Sequence, residues 1–402
     1  MKCDVFFSIC QTEVDGFMPT EKVMFENFFD QVKLADQLGY EVAWVAETHL
    51  SCEIQKHTQH PVIPHFKGEI GLNTDILQLA PRIFSMTKNI EVGSAIRNIL
   101  CNGGPIAHAE ALRTFLTLHG MDSKEKRKLH LGFASGRFEF SNRPYGIVPR
   151  NEVEEAAWSV VKGKVLKEAT EIFLKLLKGE KISSGDIPHQ TLSRNDFRDS
   201  GDWEKVLKAF GQNVDFIVLE SRYHFEKLGV IPFDAPLDLL TLTIGTHDPG
   251  LQIAANKILP VGVFNLSITP PALIEETHRR MQEHYHPDGG PWQRSKMPRT
   301  AMVFLNDDPG LSREEKKQRA LKQAQNAWEN YWKAMEGTLD KGKVEQAVSN
   351  ALAGSPEDVA QQIKEKYNPE DRLMLWFDFN NHDNEMVKNS MRIFAEKVRP
   401  HL

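Results

Sequence analysis

Cysteine is scarce in this chain of 402 residues: Cys3, Cys10, Cys52 and Cys101 are far apart and include no Cys-x-x-Cys pair. That spacing excludes a disulfide framework and predicts reduced thiols in a cytoplasmic protein. Cys101, in Ile99-Leu100-Cys101-Asn102-Gly103-Gly104-Pro105, reads as a small filler at a strand end rather than a nucleophile. No apolar run approaches the roughly 20 residues needed to cross a bilayer, so no membrane association is expected. The apolar opening is broken by Asp4 and followed by no small-residue cleavage site, which makes it a first strand rather than a signal peptide. Positive charge is not in surplus. The formal net charge of -6 excludes a polyanion-binding surface and, with it, nucleic acid as a partner.

Several motifs are also missing. After the first strand there is no Gly-x-Gly-x-x-Gly, and no P-loop occurs, so phosphate is not handled by those routes. There is no His-Glu-x-x-His. His57, His60 and His65 crowd one loop and His284 and His286 form a pair, but neither group has metal-ligand spacing; no metal is expected, and a substrate lid or a plain loop are the readings. Ser135, in Gly132-Phe133-Ala134-Ser135-Gly136, stands one place too late for a hydrolase elbow.

What is present alternates. Hydrophobic residues make up 41% and charged residues 26%, enough for a substantial core in one large domain or two medium ones. Met24, Phe25, Phe28, Phe29, Val32, Ala35 and Leu38 recur at helical spacing between strand-like runs at 4–9 and 41–46, a β-α-β unit. The cycle repeats with strands near 90–96, 129–133, 239–244, 261–266, 302–305 and 373–377 and helices at 76–86, 106–118, 153–177 and from Pro249. Eight strands predict a (β/α)8 TIM barrel with insertions, as a single domain over 1–402; a doubly wound sheet is the alternative. Residues 179–235 form a polar insertion, either a lid or a solvated decoration. Residues 311–352, with Trp328, Tyr331 and Trp332, read as an amphipathic helix over the core or an oligomer contact, and a homodimer is expected. Ser355, Pro356, Glu357 and Asp358 begin a capped helix.

Taken in order, these segments resemble the bacterial luciferase-like flavin-dependent monooxygenases over nearly the whole chain. Trp44-Val45-Ala46-Glu47-Thr48-His49 is similar to the family's Trp-x-x-Glu-His-His, with Thr48 in place of the first histidine. Val92-Gly93-Ser94-Ala95 resembles its third strand, and Pro105-Ile106-Ala107-His108-Ala109-Glu110 its Pro-x-x-x-Ala-Glu helix start. The segment from Gly132 to Gly136 resembles its fourth strand, and Glu139-Phe140 and Tyr145-Gly146-Ile147 its Glu-Phe and Phe-Gly-Ile elements. Gly354-Ser355-Pro356-Glu357-Asp358-Val359-Ala360 is similar to its Gly-Thr-Pro-Glu-Glu-Val-Ala, and 394–402 to its closing helix.

The resemblance implies reduced FMN, supplied by a separate flavin reductase and bound at the C-terminal ends of the strands, used with oxygen on a small-molecule substrate. A relative using the deazaflavin F420 shares the fold, so hydride transfer stays open, as does a catalytically silent flavin-binding protein motivated by Thr48. By position, Ser94, Ala95, Ala134 and Ser135 would lie by the flavin ring. Luciferases place a cysteine and an arginine where Ala134 and Ser135 stand, which speaks against light emission. Gly245 and Thr246 would hold the phosphate, with Arg137 and Arg150 as charge partners or ordinary surface arginines. His49 would be an acid or base by the flavin or a hydrogen-bonded wall residue, and Glu47 a buried structural carboxylate.

Overall fold

Alternation along the strands decides the architecture. In the computed structural model, which describes residues 1–55, 68–69, 75–136, 139–334 and 341–402, Val5 and Phe7 of the first strand pack in a large cluster with helix residues. Phe6 packs in a separate one with Trp44, Phe264 and Met374. Both faces of the strand are therefore buried, which is why its sequence reads as a continuous apolar run.

Nine parallel strands make one sheet: β1 (Lys2–Phe7), β2 (Val42–Val45), β3 (Glu91–Asn98), β4 (Leu129–Ala134), β5 (Leu240–Ile244), β6 (Val261–Val263), β7 (Arg299–Leu305), β8 (Leu352–Gly354) and β9 (Arg372–Trp376). Their order is β6-β5-β4-β3-β2-β1-β9-β7-β8. Because β1 to β6 follow one another without reversal, the doubly wound alternative, which needs a switch point, is excluded. All eight predicted strands are present. β8 is additional, and its three residues are too few for a periodic signal.

The predicted closed barrel is met only in part. β6 and β7 share no ladder; a single parallel bridge from Asn265 to Arg299 spans them, with Asn265 N donating to Pro298 O at 2.9 Å. The physical reason is that β6 stops at Val263, three residues short of the predicted end. The sheet is a wide parallel half-barrel with a seam.

Polar groups hold the interior. Asp4 accepts from Arg372 Nη1 at 2.8 and 3.0 Å and from Trp44 Nε1 at 2.7 Å, tying β1 to both neighbours. The Trp44 ring fills the middle, where a Cβ on Gly93 would approach it to 2.5 Å.

Helices α1 (Glu21–Gln37), α2 (Ile76–Met86), α3 (Gly104–His119), α4 (Trp158–Lys178), α5 (Pro249–Asn256), α6 (Pro271–His284), α7 (Arg313–Ala334), α8 (Lys341–Asn350), α9 (Pro356–Lys366) and α10 (Asn384–Ile393) join the strands. α9 begins with the predicted cap: Ser355 Oγ accepts from Asp358 N, and the Asp358 carboxylate accepts from Ser355 N. The insertion at 179–235 forms a short antiparallel ladder, Thr191–Ser193 with Phe216–Val218, around a helix at Ser200–Phe210. Arg113 of α3 fastens its end, donating to Leu177 O, Pro232 O and Phe233 O.

Gly132 owes its place to packing between strands. A Cβ there would stand 2.5 Å from the backbone oxygen of Ser94 on β3. Gly132→Ala is expected to destabilise the fold by about 1–3 kcal/mol, the usual range for overpacking, as a lower urea midpoint with unchanged m-value. A midpoint equal to wild type would show that β3 and β4 separate freely.

Candidate functional site

The C-terminal ends of the strands open onto one cavity of about 750 Å³. This lies in the upper part of the ~300–1,000 Å³ range of small-molecule sites. Its wall has two chemically different halves. From the ends of β2 to β5 come Glu47, His49, Asn98, Ser135, Gly245 and His247. From β6, β7, β9 and the helices beyond come Phe264, Met302, Trp328, Tyr331, Trp376 and Phe379. The first half is polar and small, the second apolar and aromatic.

Glu47 organises the polar half. Fully buried just past β2, its carboxylate accepts from Ser94 Oγ at 2.6 Å and from Arg97 Nη1 at 2.9 Å. His49 Nε2 lies 2.9 Å from the same Glu47 oxygen as Arg97. The ring nitrogen must donate to a carboxylate, so in the neutral ring Nδ1 is the acceptor. β3 bulges between Ser94 and Arg97, where the Ala95–Ile96 peptide is cis. The bulge places Ser94 toward Glu47 while Ala95 lines the cavity.

Arg97 extends the network outward. Its Nη1 also donates to Asp75 at 2.8 Å, and its Nε donates to His108 Nδ1 at 2.9 Å. Burial raises the Asp75 carboxyl, but the Arg97 charge and hydrogen bond outweigh it and hold the group below its ordinary value. His108 is pushed down to about 3, first by burial and then by Arg97. It is neutral, with Nε2–H donating to Cys101 O at 2.8 Å. Cys101 lines the cavity, but burial raises its thiol to about 12, and it donates to Ser141 O; it is a filler, as predicted.

The other half rests on small residues. On α7, Ala320, Ala324 and Ala327 are buried at helical spacing and let the helix approach β7 and β8. Trp328 and Tyr331 follow on the same face and line the cavity, and Asn380 Nδ2 donates to Ala327 O at 3.0 Å, fixing the loop after β9 beneath them. Trp376 Nε1 donates to Ser8 Oγ at 2.6 Å, and Ser8 N to Asp378 at 2.9 Å.

Of the predicted site residues, His49, Ala95, Ala134, Ser135 and Gly245 line the cavity together. Ser94 lies behind the wall, bonded to Glu47. Thr246 is turned away: its hydroxyl accepts from Asp248 N and its carbonyl from Gln252, and the next residue, His247, faces the cavity instead. His247 Nδ1 is buried without a partner among the described residues, and burial, then Arg280, lowers its pKa. Arg150 does not line the cavity; Glu154 and the carbonyls of Ser221 and Glu220 occupy it. Arg137, His57, His60 and His65 lie outside the described residues. The described residues include no cluster able to hold a metal. Among the described residues, none of the 179–235 insertion lines the cavity. Asn98, His247, Trp328 and Tyr331 were not among the predicted site residues.

No family model matches the sequence, and no curated protein does. Solved structures do match. Monooxygenase RslO1 from Streptomyces bottropensis superposes with TM-score 0.66 at 16% identity, covering 100% of this chain and 99% of that one. The chain has the luciferase-like monooxygenase fold. The oxygenating constituent of 3,6-diketocamphane monooxygenase from Pseudomonas putida, solved with FMN, gives 0.59 at 14% identity over 100% and 98%. An F420-dependent secondary alcohol dehydrogenase, solved with an F420–acetone adduct, gives 0.56 at 13% over 100% and 99%. The luciferase-like fold accounts for a cavity at the C-terminal ends of the strands, as in related barrels.

The His108 contact has a pH signature. Its folded pKa lies below the unfolded value, so the unfolded chain binds more protons between them; stability is whole above about 6.5 and falls as the pH drops toward 3. His108→Gln keeps an acceptor for Arg97 and cannot be protonated. Urea unfolding from pH 7 to 4 should show a wild-type slope steeper than the variant's by up to one proton, about 1.4 kcal/mol per pH unit. Parallel slopes would mean that His108 is protonated in the fold.

Proposed function

We propose that the chain is a flavin-dependent monooxygenase of the luciferase-like family. It uses reduced FMN from a separate reductase, with oxygen, on a small organic substrate. The observation that carries this is the polar half of the cavity, where His49 is held in one tautomer by Glu47 beside a wall of small residues. A flavin fits there on three grounds. A Cβ on Gly245 would meet Ile96 at 2.6 Å, so glycine lets that wall pack without a projecting side chain. Gly136, at φ +71, brings backbone to the surface where a side chain would strike Asn98 at 2.3 Å. His247 Nδ1 is an orphaned buried polar atom at the same end.

Ala95, Ala134 and Ser135 would face the ring, and His247 and the backbone near Gly136 would meet the phosphate. The described lining residues include no lysine or arginine. Reduced flavin, when bound, supplies the electrons that activate oxygen. His49 keeps Nδ1 as a proton acceptor at the cavity wall, and the Glu47–Arg97 pair keeps the ring from turning. Thr48, on the same wall, cannot exchange a proton near neutral pH, so of positions 48 and 49 only His49 can fill that role. The likeness to an F420-dependent enzyme supports a second reading, hydride transfer with a deazaflavin.

Anaerobic titration separates these readings. Saturable binding of reduced FMN in preference to reduced F420 is expected, and binding of F420 alone would overturn the proposal. His49→Ala should leave the affinity for reduced FMN within about threefold. It should slow reoxidation of the bound flavin on admission of oxygen by about 10²-fold, the typical worth of a general acid or base. Unchanged reoxidation would instead favour a silent flavin-binding protein.

A further inference from the structure

The aromatic half of the cavity is continuous. Phe6 and Trp376 lie with ring centroids 4.4 Å apart, Trp376 and Phe379 4.8 Å, Phe379 and Trp328 4.7 Å, and Phe379 and Tyr331 5.4 Å. All five line the cavity. Rings at these spacings, mutually tilted by 47–72°, pack into one wall whose faces and edges match another ring better than a mobile alkyl chain. One of its indole donors stands out. Trp328 Nε1 is buried and has no partner among the described residues. A buried N–H without an acceptor is costly, so a native structure ordinarily supplies one. The other indole of the wall has its acceptor in Ser8, which makes the Trp328 donor the exception.

We propose that this half is the substrate subsite and that it takes a planar aromatic molecule of about two fused rings bearing a carbonyl oxygen. The rings lie against Phe379, Trp376 and Tyr331, and the oxygen accepts from Trp328 Nε1–H. The proposal rests on the reading that the polar half takes the flavin. The same donor also fixes which edge of the ligand lies under α7.

The test uses the full chain and three probes of similar bulk: 2-acetylnaphthalene, 2-ethylnaphthalene and decanal, with binding measured by equilibrium dialysis. Wild type should bind the naphthyl ketone at least tenfold more tightly than decanal. Trp328→Phe keeps the ring and removes the donor; it should weaken the ketone about five- to tenfold and the hydrocarbon less than twofold. Phe379→Leu should weaken both naphthalenes about tenfold, which keeps the test decisive if the Trp328 variant folds poorly. Tighter binding of decanal, equal loss of both naphthalenes in Trp328→Phe, or no loss in Phe379→Leu would overturn the proposal. Ketone affinity should be unchanged by saturating FMN; competition would place both in one half and overturn it as well. If the ketone binds as described while reduced FMN does not bind, the flavin reading fails and the aromatic subsite stands.

Discussion

The polar half of the cavity depends on one buried carboxylate. Glu47 receives donors from Ser94, Arg97 and His49, and so links the end of β2 to the bulge in β3 and the cavity wall. A carboxylate without exposure to water needs such partners, since desolvation otherwise outweighs what it contributes. The requirement explains Arg97, a buried charge near the end of β3, and Arg97 in turn explains Asp75 and the neutral His108. Removing Glu47 would leave Arg97 paired with Asp75 alone, and Ser94 and His49 without their shared acceptor. The chemistry and the local fold share this group.

Much of the barrel was legible because parallel strands buried on both faces leave continuous apolar runs. Leu129 to Phe133 and Leu373 to Phe377 are of this kind, and each was placed within a residue or two. The β6–β7 seam was not legible. Val261 to Leu266 reads as one strand, yet the chain leaves the ladder after Val263 and Asn265 makes the crossing alone, with both side-chain amide atoms buried and unpartnered among the described residues. Nothing in the pattern of apolar residues encodes where pairing stops.

The site divides in the same way. His49, Ala134, Ser135 and Gly245 sit at strand ends, where sequence position alone places them on the ligand face. Thr246 and His247 differ by one residue, and local hydrogen bonds in the turn before α5 decide which faces in. Trp328 and Tyr331 belong to a helix whose stripe reads as amphipathic, and their target is set by the alanines that seat it. The glycines at 132 and 136, alike in sequence, serve different ends: one admits a neighbouring strand and the other lines the cavity.

The two halves of the cavity are also separated along the chain. Apart from Phe6 and Phe264, the aromatic wall is drawn from residues after the seam, and the polar half around Glu47 from residues before it. Drift in the later segment can therefore reshape what the cavity accepts while the earlier segment, with its network around Glu47, stays under its own constraint. A chain organised this way permits new substrates to be recruited by inheritance of one unaltered segment and divergence of the other.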